Sequence, residues 1–105
     1  LKQLELLVQL IDHALTSIES GRLPDLLDAQ CAVYGIAQGA IPPRSPADEK
    51  VLLLCEYCLD CLSHGERDRE RDAAQVLRVL RSGFLACLAR DIPAAEVRSL
   101  VSVSA

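Results

Sequence analysis

Tryptophan and methionine are absent from this 105-residue sequence, and its only aromatics are Tyr34, Tyr57 and Phe84. A core built around large rings is excluded. With half the residues apolar, the interior has to come from Leu, Val, Ile, Ala and Cys, a palette that favours helices. Concentrated positive charge is missing too. Eleven Lys and Arg are scattered among fifteen Asp and Glu for a net charge of −4, which argues against a nucleic-acid partner. No apolar run reaches the roughly 18 residues that would cross a bilayer, and no charged segment leads into an apolar stretch with a cleavage site. The expectation is a soluble, cytoplasmic chain with no membrane span. Nucleophile–base groupings, glycine-rich phosphate loops and paired-acid motifs are likewise missing, so neither an enzyme nor a cofactor is expected.

What remains is a single helical domain over residues 1–105, long enough to bury roughly 60–70% of its unfolded surface. Leu1, Leu4, Val8, Ile11, Leu15 and Ile18 recur at steps of three and four, the stripe of an amphipathic helix that Gly21 ends. Leu6, Leu7 and Leu10 widen that arc and predict neighbours on two sides. Pro24 suits the first turn of a second helix running to about Ala40, with Asp25 and Asp28 near its positive end. Its second half is small-sided (Ala29, Ala32, Gly35, Ala37, Gly39) and predicts close packing on a Leu-rich partner.

The segment Ile41–Pro46, IPPRSP, breaks the chain. Ser45 then reads as an N-cap, Pro46 as the first helical residue and Asp48 as the capping partner. On this third helix Val51, Cys55, Cys58 and Leu62 centre the apolar stripe, Leu54, Leu59 and Cys61 flank it, and Gly65 closes it. Glu49, Leu53, Glu56, Asp60 and Ser63 fall opposite. The sequence ERDRERD, Glu66–Asp72, alternates in sign and reads as a solvated first turn worth little in stability. Ala73, Leu77, Leu80, Phe84, Cys87 and Leu88 form the stripe of a fourth helix, with Val76 beside it and Phe84 as its one large anchor. A short fifth helix is expected over Ala94–Val101. The fold class is therefore all-α, an antiparallel four-helix bundle.

Cys55, Cys58, Cys61 and His64 are spaced C-x2-C-x2-C-x2-H, the ligand types of a zinc site. On a continuous helix each three-residue step turns about 300°, which sends Cys55 and His64 to opposite sides. Packing as small hydrophobes is the preferred role of these thiols, and no metal is expected. The alternative is a Zn or Cu thiolate site in which Cys55 and Cys58 join Cys31 and Cys87 from neighbouring helices. His13, in IDHALTSIESG, lacks the following Lys and small residues of a phosphotransfer histidine and reads as an ordinary surface residue.

Leu54-Cys55-Glu56-Tyr57-Cys58-Leu59-Asp60-Cys61-Leu62 resembles the LYDYxxxxL-type segment of the flagellar export chaperones, which hold flagellin before secretion. Leu10-Ile11-Asp12-His13-Ala14-Leu15 is similar to that family's LYDGAI-type helix, with Ile11 for Tyr and His13 for Gly. The order of parts also fits over about 80 residues. The resemblance implies a non-enzymatic binding protein whose grooves shield an amphipathic segment of a secreted client. Leu6, Leu10, Leu53 and Leu59, which lie off the stripe centres, are the candidate partner-binding residues, together with Tyr57 from the resembling segment. A homodimerising adaptor, using the same apolar flank for self-association, is the alternative.

Overall fold

The computed structural model describes the backbone of residues 2–90 and the side chains of residues 3–89. It is all-helical over that range: α1 (Lys2–Ser20), α2 (Leu23–Gln38), α3 (Pro46–Ser63) and α4 (Arg67–Arg90). The expected fifth helix, Ala94–Val101, lies outside the described residues. Each helix packs on two others in a closed ring, α1 on α2, α2 on α3, α3 on α4 and α4 on α1, and the backbones of the diagonal pairs lie farther apart. Every helix thus turns two flanks to its neighbours and an arc between them to the core.

The boundaries follow from local chemistry. Gly21 and Gly65 take the left-handed conformation, φ +70° and +71°, that only glycine adopts without strain, and each ends the helix before it. Ser45 caps α3 by accepting from the Asp48 amide at 3.2 Å, and the Asp48 carboxylate accepts from the Arg44 amide at 2.8 Å. Pro46 opens that helix and Pro24 lies in the first turn of α2. The Ile41–Pro42 peptide in the intervening loop is cis.

The core is aliphatic and sulfur-lined. Its largest fully buried side chains are Ile11, Ile36, Leu77, Val33, Cys55, Cys58 and Cys61. Leu10 of α1 sits where a Cβ on Gly35 would lie 3.1 Å from it, and Leu7 stands 3.2 Å from the corresponding position on Gly39. The small side of α2 is therefore the seat of α1's leucines, as its composition predicts. Phe84 departs from expectation. It is half-buried and shares an end cavity with Val51, Leu4 and Leu7 instead of anchoring the centre. Beyond it Leu85 and Cys87 are exposed.

The charged opening of α4 is the largest departure. Arg67 donates to the carbonyls of Ile18 (2.8 Å) and Glu19 (2.9 Å) at the end of α1, and to the Glu70 carboxylate at 2.8 Å. Glu70 is buried, with 4% of its surface exposed. The last carbonyls of a helix have no partner within it, and here a guanidinium from another helix supplies one. A charged hydrogen bond contributes about 1.5–3 kcal/mol, well above a solvated surface pair.

Gly21 and Gly65 separate the two demands made on a helix-ending glycine. A Cβ at Gly21 would lie 2.7 Å from Arg67 Nη1, whereas one at Gly65 would meet nothing within 4 Å. Gly65→Ala should cost about 1–2 kcal/mol for the left-handed backbone alone. Gly21→Ala should cost at least about 1 kcal/mol more, because the displaced guanidinium loses a carbonyl bond. Urea titrations of the two variants check this, and equal losses would show that the Arg67 contact contributes nothing.

Candidate functional site

Cys55, Cys58 and Cys61 are buried, at 1%, 0% and 0% exposure, whereas His64 faces solvent. Its Nδ1 bonds the Asp60 carbonyl at 2.7 Å. A carbonyl only accepts, so Nδ1 carries the proton and the ring is engaged in closing α3. The Cys58 thiol donates to the Ala73 carbonyl of α4 at 3.6 Å. The alternative metal set is not brought together: Cys55 and Cys58 point into the core, and Cys31 and Cys87 lie exposed on α2 and α4. Among the described residues no three His, Cys, Asp or Glu side chains converge as a metal group would need. Cys31 and Cys87 are both exposed while Cys55 and Cys58 are buried, so neither exposed thiol joins the core pair.

Burial pushes the Cys55 thiol up to about 11 and the Cys58 thiol, with Cys55 and Cys61 beside it, up to about 12, from an ordinary 9.0. A thiol at that value is no nucleophile near neutrality. Tyr57 is exposed, and its hydroxyl is raised above the ordinary phenol range, chiefly by its hydrogen bond with Cys61. Asp72 and Arg69 also act on it, which places Tyr57 on the α4 side of α3.

The five candidate partner-binding residues do not form one surface. Leu6 (58% exposed) lies one turn from Leu10, which is half-buried against α2 at Gly35. Leu53 (65%) and Tyr57 (43%) lie on α3, diagonal to α1 in the ring. Leu59 is half-buried against the core. Leu6 and Leu53 are thus open to a partner, and Leu10 and Leu59 mostly serve packing.

The most extensive apolar face is one that periodicity did not single out. On α2, Leu23 (71%), Leu27 (52%), Cys31 and Tyr34 (58%) are all exposed. Their spacing of four, four and three sets them along one stripe. The opposite side of the same helix buries Leu26, Ala29, Ala32, Val33 and Ile36. Asp25 and Asp28 are the only charges between Leu23 and Gln38, so α2 has no polar face. That scarcity was the available signal, since a helix apolar all round is one covered all round. Val79 of α4 is likewise exposed, at 59%. Comparison with protein-family models, with curated proteins and with solved structures gave no match for this chain.

Two outcomes follow from the thiol row. In the native protein a thiol reagent at pH 8 should modify Cys31 and Cys87 within minutes, while Cys55, Cys58 and Cys61 react only on unfolding; mass spectrometry of the labelled chain reads the count. Stability should also fall with alkali. Below pH 9.0 the core thiols carry their protons in both states, and between there and their folded values of about 11 and 12 only the folded state holds them. Rising pH then favours unfolding. A Cys55→Ala/Cys58→Ala variant should lose much of this slope in urea titrations between pH 8 and 10.5.

Proposed function

We propose that this chain is a non-enzymatic, cytoplasmic binding protein, an antiparallel four-helix bundle that shields an amphipathic segment of a client protein. The observation that carries this reading is the apolar outer face of α2, Leu23, Leu27, Cys31 and Tyr34, on a helix whose other sides are already packed. Burying a leucine contributes about 1.5–3 kcal/mol, so a client helix laid along three or four such residues gains enough to offset its ordering. Leu53, Tyr57 and Val79 supply a second apolar patch. Cys58 opposite Ala73, and Val51 beside Phe84, fix a register that brings Leu53 to the level of Val79. The resemblance to flagellar export chaperones gives this binding its biological form, protection of a secreted subunit before export.

The competing occupant of the α2 face is a second copy of the chain. The stripe reads nearly alike in both directions, but its midpoint falls beside Asp28. A two-fold axis there would set Asp28 level with its own mate along one rim of the pair, and like charges facing each other disfavour that pairing. A client need not present an acid at that point.

Fluorescence anisotropy with a labelled, uncharged Leu-rich amphipathic helix tests the reading. Leu27→Glu should weaken binding at least tenfold, with the circular dichroism of the free protein unchanged. Light scattering should give a monomer. A dimer dissociated by Leu27→Glu would instead assign the face to self-association. Binding of the Leu-rich probe without binding of a flagellin terminal segment would keep the shielding role and remove the flagellar one.

A further inference from the structure

Four arginines, Arg67, Arg71, Arg78 and Arg81, fall along the edge of α4 that faces α1, at helical offsets of zero, four, eleven and fourteen. Two are committed. Arg67 holds the end of α1 and the Glu70 carboxylate, and Arg81 bonds Asp12 at 2.6 Å. The other two are not. Arg71 reaches Asp68 and Arg78 reaches Gln75, each at 3.5 Å and each on its own helix and exposed. Contacts of this kind are worth at most about 1 kcal/mol and are readily exchanged for a better acceptor.

Arg71 and Arg78 stand over an open cavity of about 460 Å³ between α1 and α4, lined also by Leu15, Ile18, Thr16 and Ala74. Ala74 lies between them in sequence, and its small side chain leaves room beneath the two guanidinium groups, with Leu15 and Ile18 completing an apolar floor. Seven residues of helix place the two arginine backbones about 10 Å apart. Glu19, at the Arg67 end, is the one lining carboxylate in no ion pair among the described residues. It disfavours an anion there, leaving the stretch between Arg71 and Arg78 as the landing site.

We infer that this α1–α4 groove is a second docking site, for an acidic amphipathic helix carrying carboxylates at positions i and i+7 and an apolar residue between them. Each carboxylate meets one guanidinium in the two-pronged geometry that arginine favours, and the apolar residue sits over Ala74. The site rests on charge complementarity and lies on a different helix pair from the α2 face, so it stands independently of the shielding role proposed above.

The test uses a labelled helical peptide with Asp at i and i+7 and Leu at i+4, titrated against the full chain by anisotropy at 50 and 300 mM salt. Binding should weaken at least tenfold between the two salts, and by a similar factor for Arg71→Glu/Arg78→Glu or for a probe with Asn replacing Asp. A probe with Lys at both positions should bind that charge-reversed variant better than it binds the parent. Leu27→Glu should leave the acidic probe unaffected, just as the double Arg variant leaves the uncharged probe unaffected. An affinity indifferent to Arg71→Glu/Arg78→Glu overturns the assignment. Tighter binding of a uridylate oligomer through the same two arginines also overturns it, in favour of a nucleic-acid ligand.

Discussion

Arg67 ties together the two places where this fold would otherwise come apart. At the end of α1 the Ile18 carbonyl accepts only the Gly21 N–H, at 3.1 Å, and Arg67 adds a second donor to it and one to the Glu19 carbonyl, while the start of α4 carries Glu70 into the interior. A buried carboxylate without a partner would cost several kcal/mol, on the order of the 3–5 kcal/mol seen when one member of a buried pair is removed. One guanidinium satisfies both, and it fits only because Gly21 has no side chain. The α1–α4 contact is thereby fixed in register, and with it the line of Arg71, Arg78 and Arg81 against Asp12, Leu15 and Thr16.

The adjacent α1–α2 side of the ring is held by shape. Leu7 and Leu10 press on α2 where Gly39 and Gly35 leave space, a close approach that depends on dispersion over many short contacts. The thiols of α3 serve the same end. Cys55, Cys58 and Cys61 are small enough to sit on the axis of a bundle with no buried aromatic among its described residues, and Cys58 satisfies its S–H on the Ala73 carbonyl. Burial raises the pKa values of Cys55 and Cys58 and thereby keeps those two thiols protonated and inert, so packing and chemical silence have one cause.

Local features of the fold were legible in the sequence. Ser45 with Pro46 and Asp48, Gly21 and Gly65 mark helix ends through chemistry confined to a few residues, and the stripes of α1 and α3 follow from periodicity alone. What escaped was set by distance or by length. Glu70 and Arg67 look the same as any surface pair three residues apart, because nothing local reveals that Arg67 also reaches α1 across 48 and 49 residues. Cys87 and Phe84 continue the apolar stripe of α4, but periodicity names a face and not how deeply each residue on it is covered. Of the candidate partner-binding residues, Leu6, Leu53 and Tyr57 are exposed, while Leu10 and Leu59 are half-buried against neighbouring helices, a difference set by tertiary packing that periodicity does not carry.

The α2 face shows why composition has to be weighed helix by helix. Over the whole chain a quarter of the residues are charged, a value typical of an ordinary soluble domain. Much of that charge lies on α4, whose opening alone supplies six consecutive charged residues, Arg67–Asp72, and α2 has two. The cost of an exposed apolar helix is borne in solution by the free protein, and it is recovered only when something covers Leu23, Leu27 and Tyr34. An uneven distribution of this kind, polar on α4 and apolar on α2 across the diagonal of the ring, gives one small bundle two surfaces of opposite character. The apolar stripe of α2 can exchange burial only with another apolar surface, whereas the arginine edge of α4 exchanges hydrogen bonds and charge, so the two faces differ in salt dependence as well as in composition.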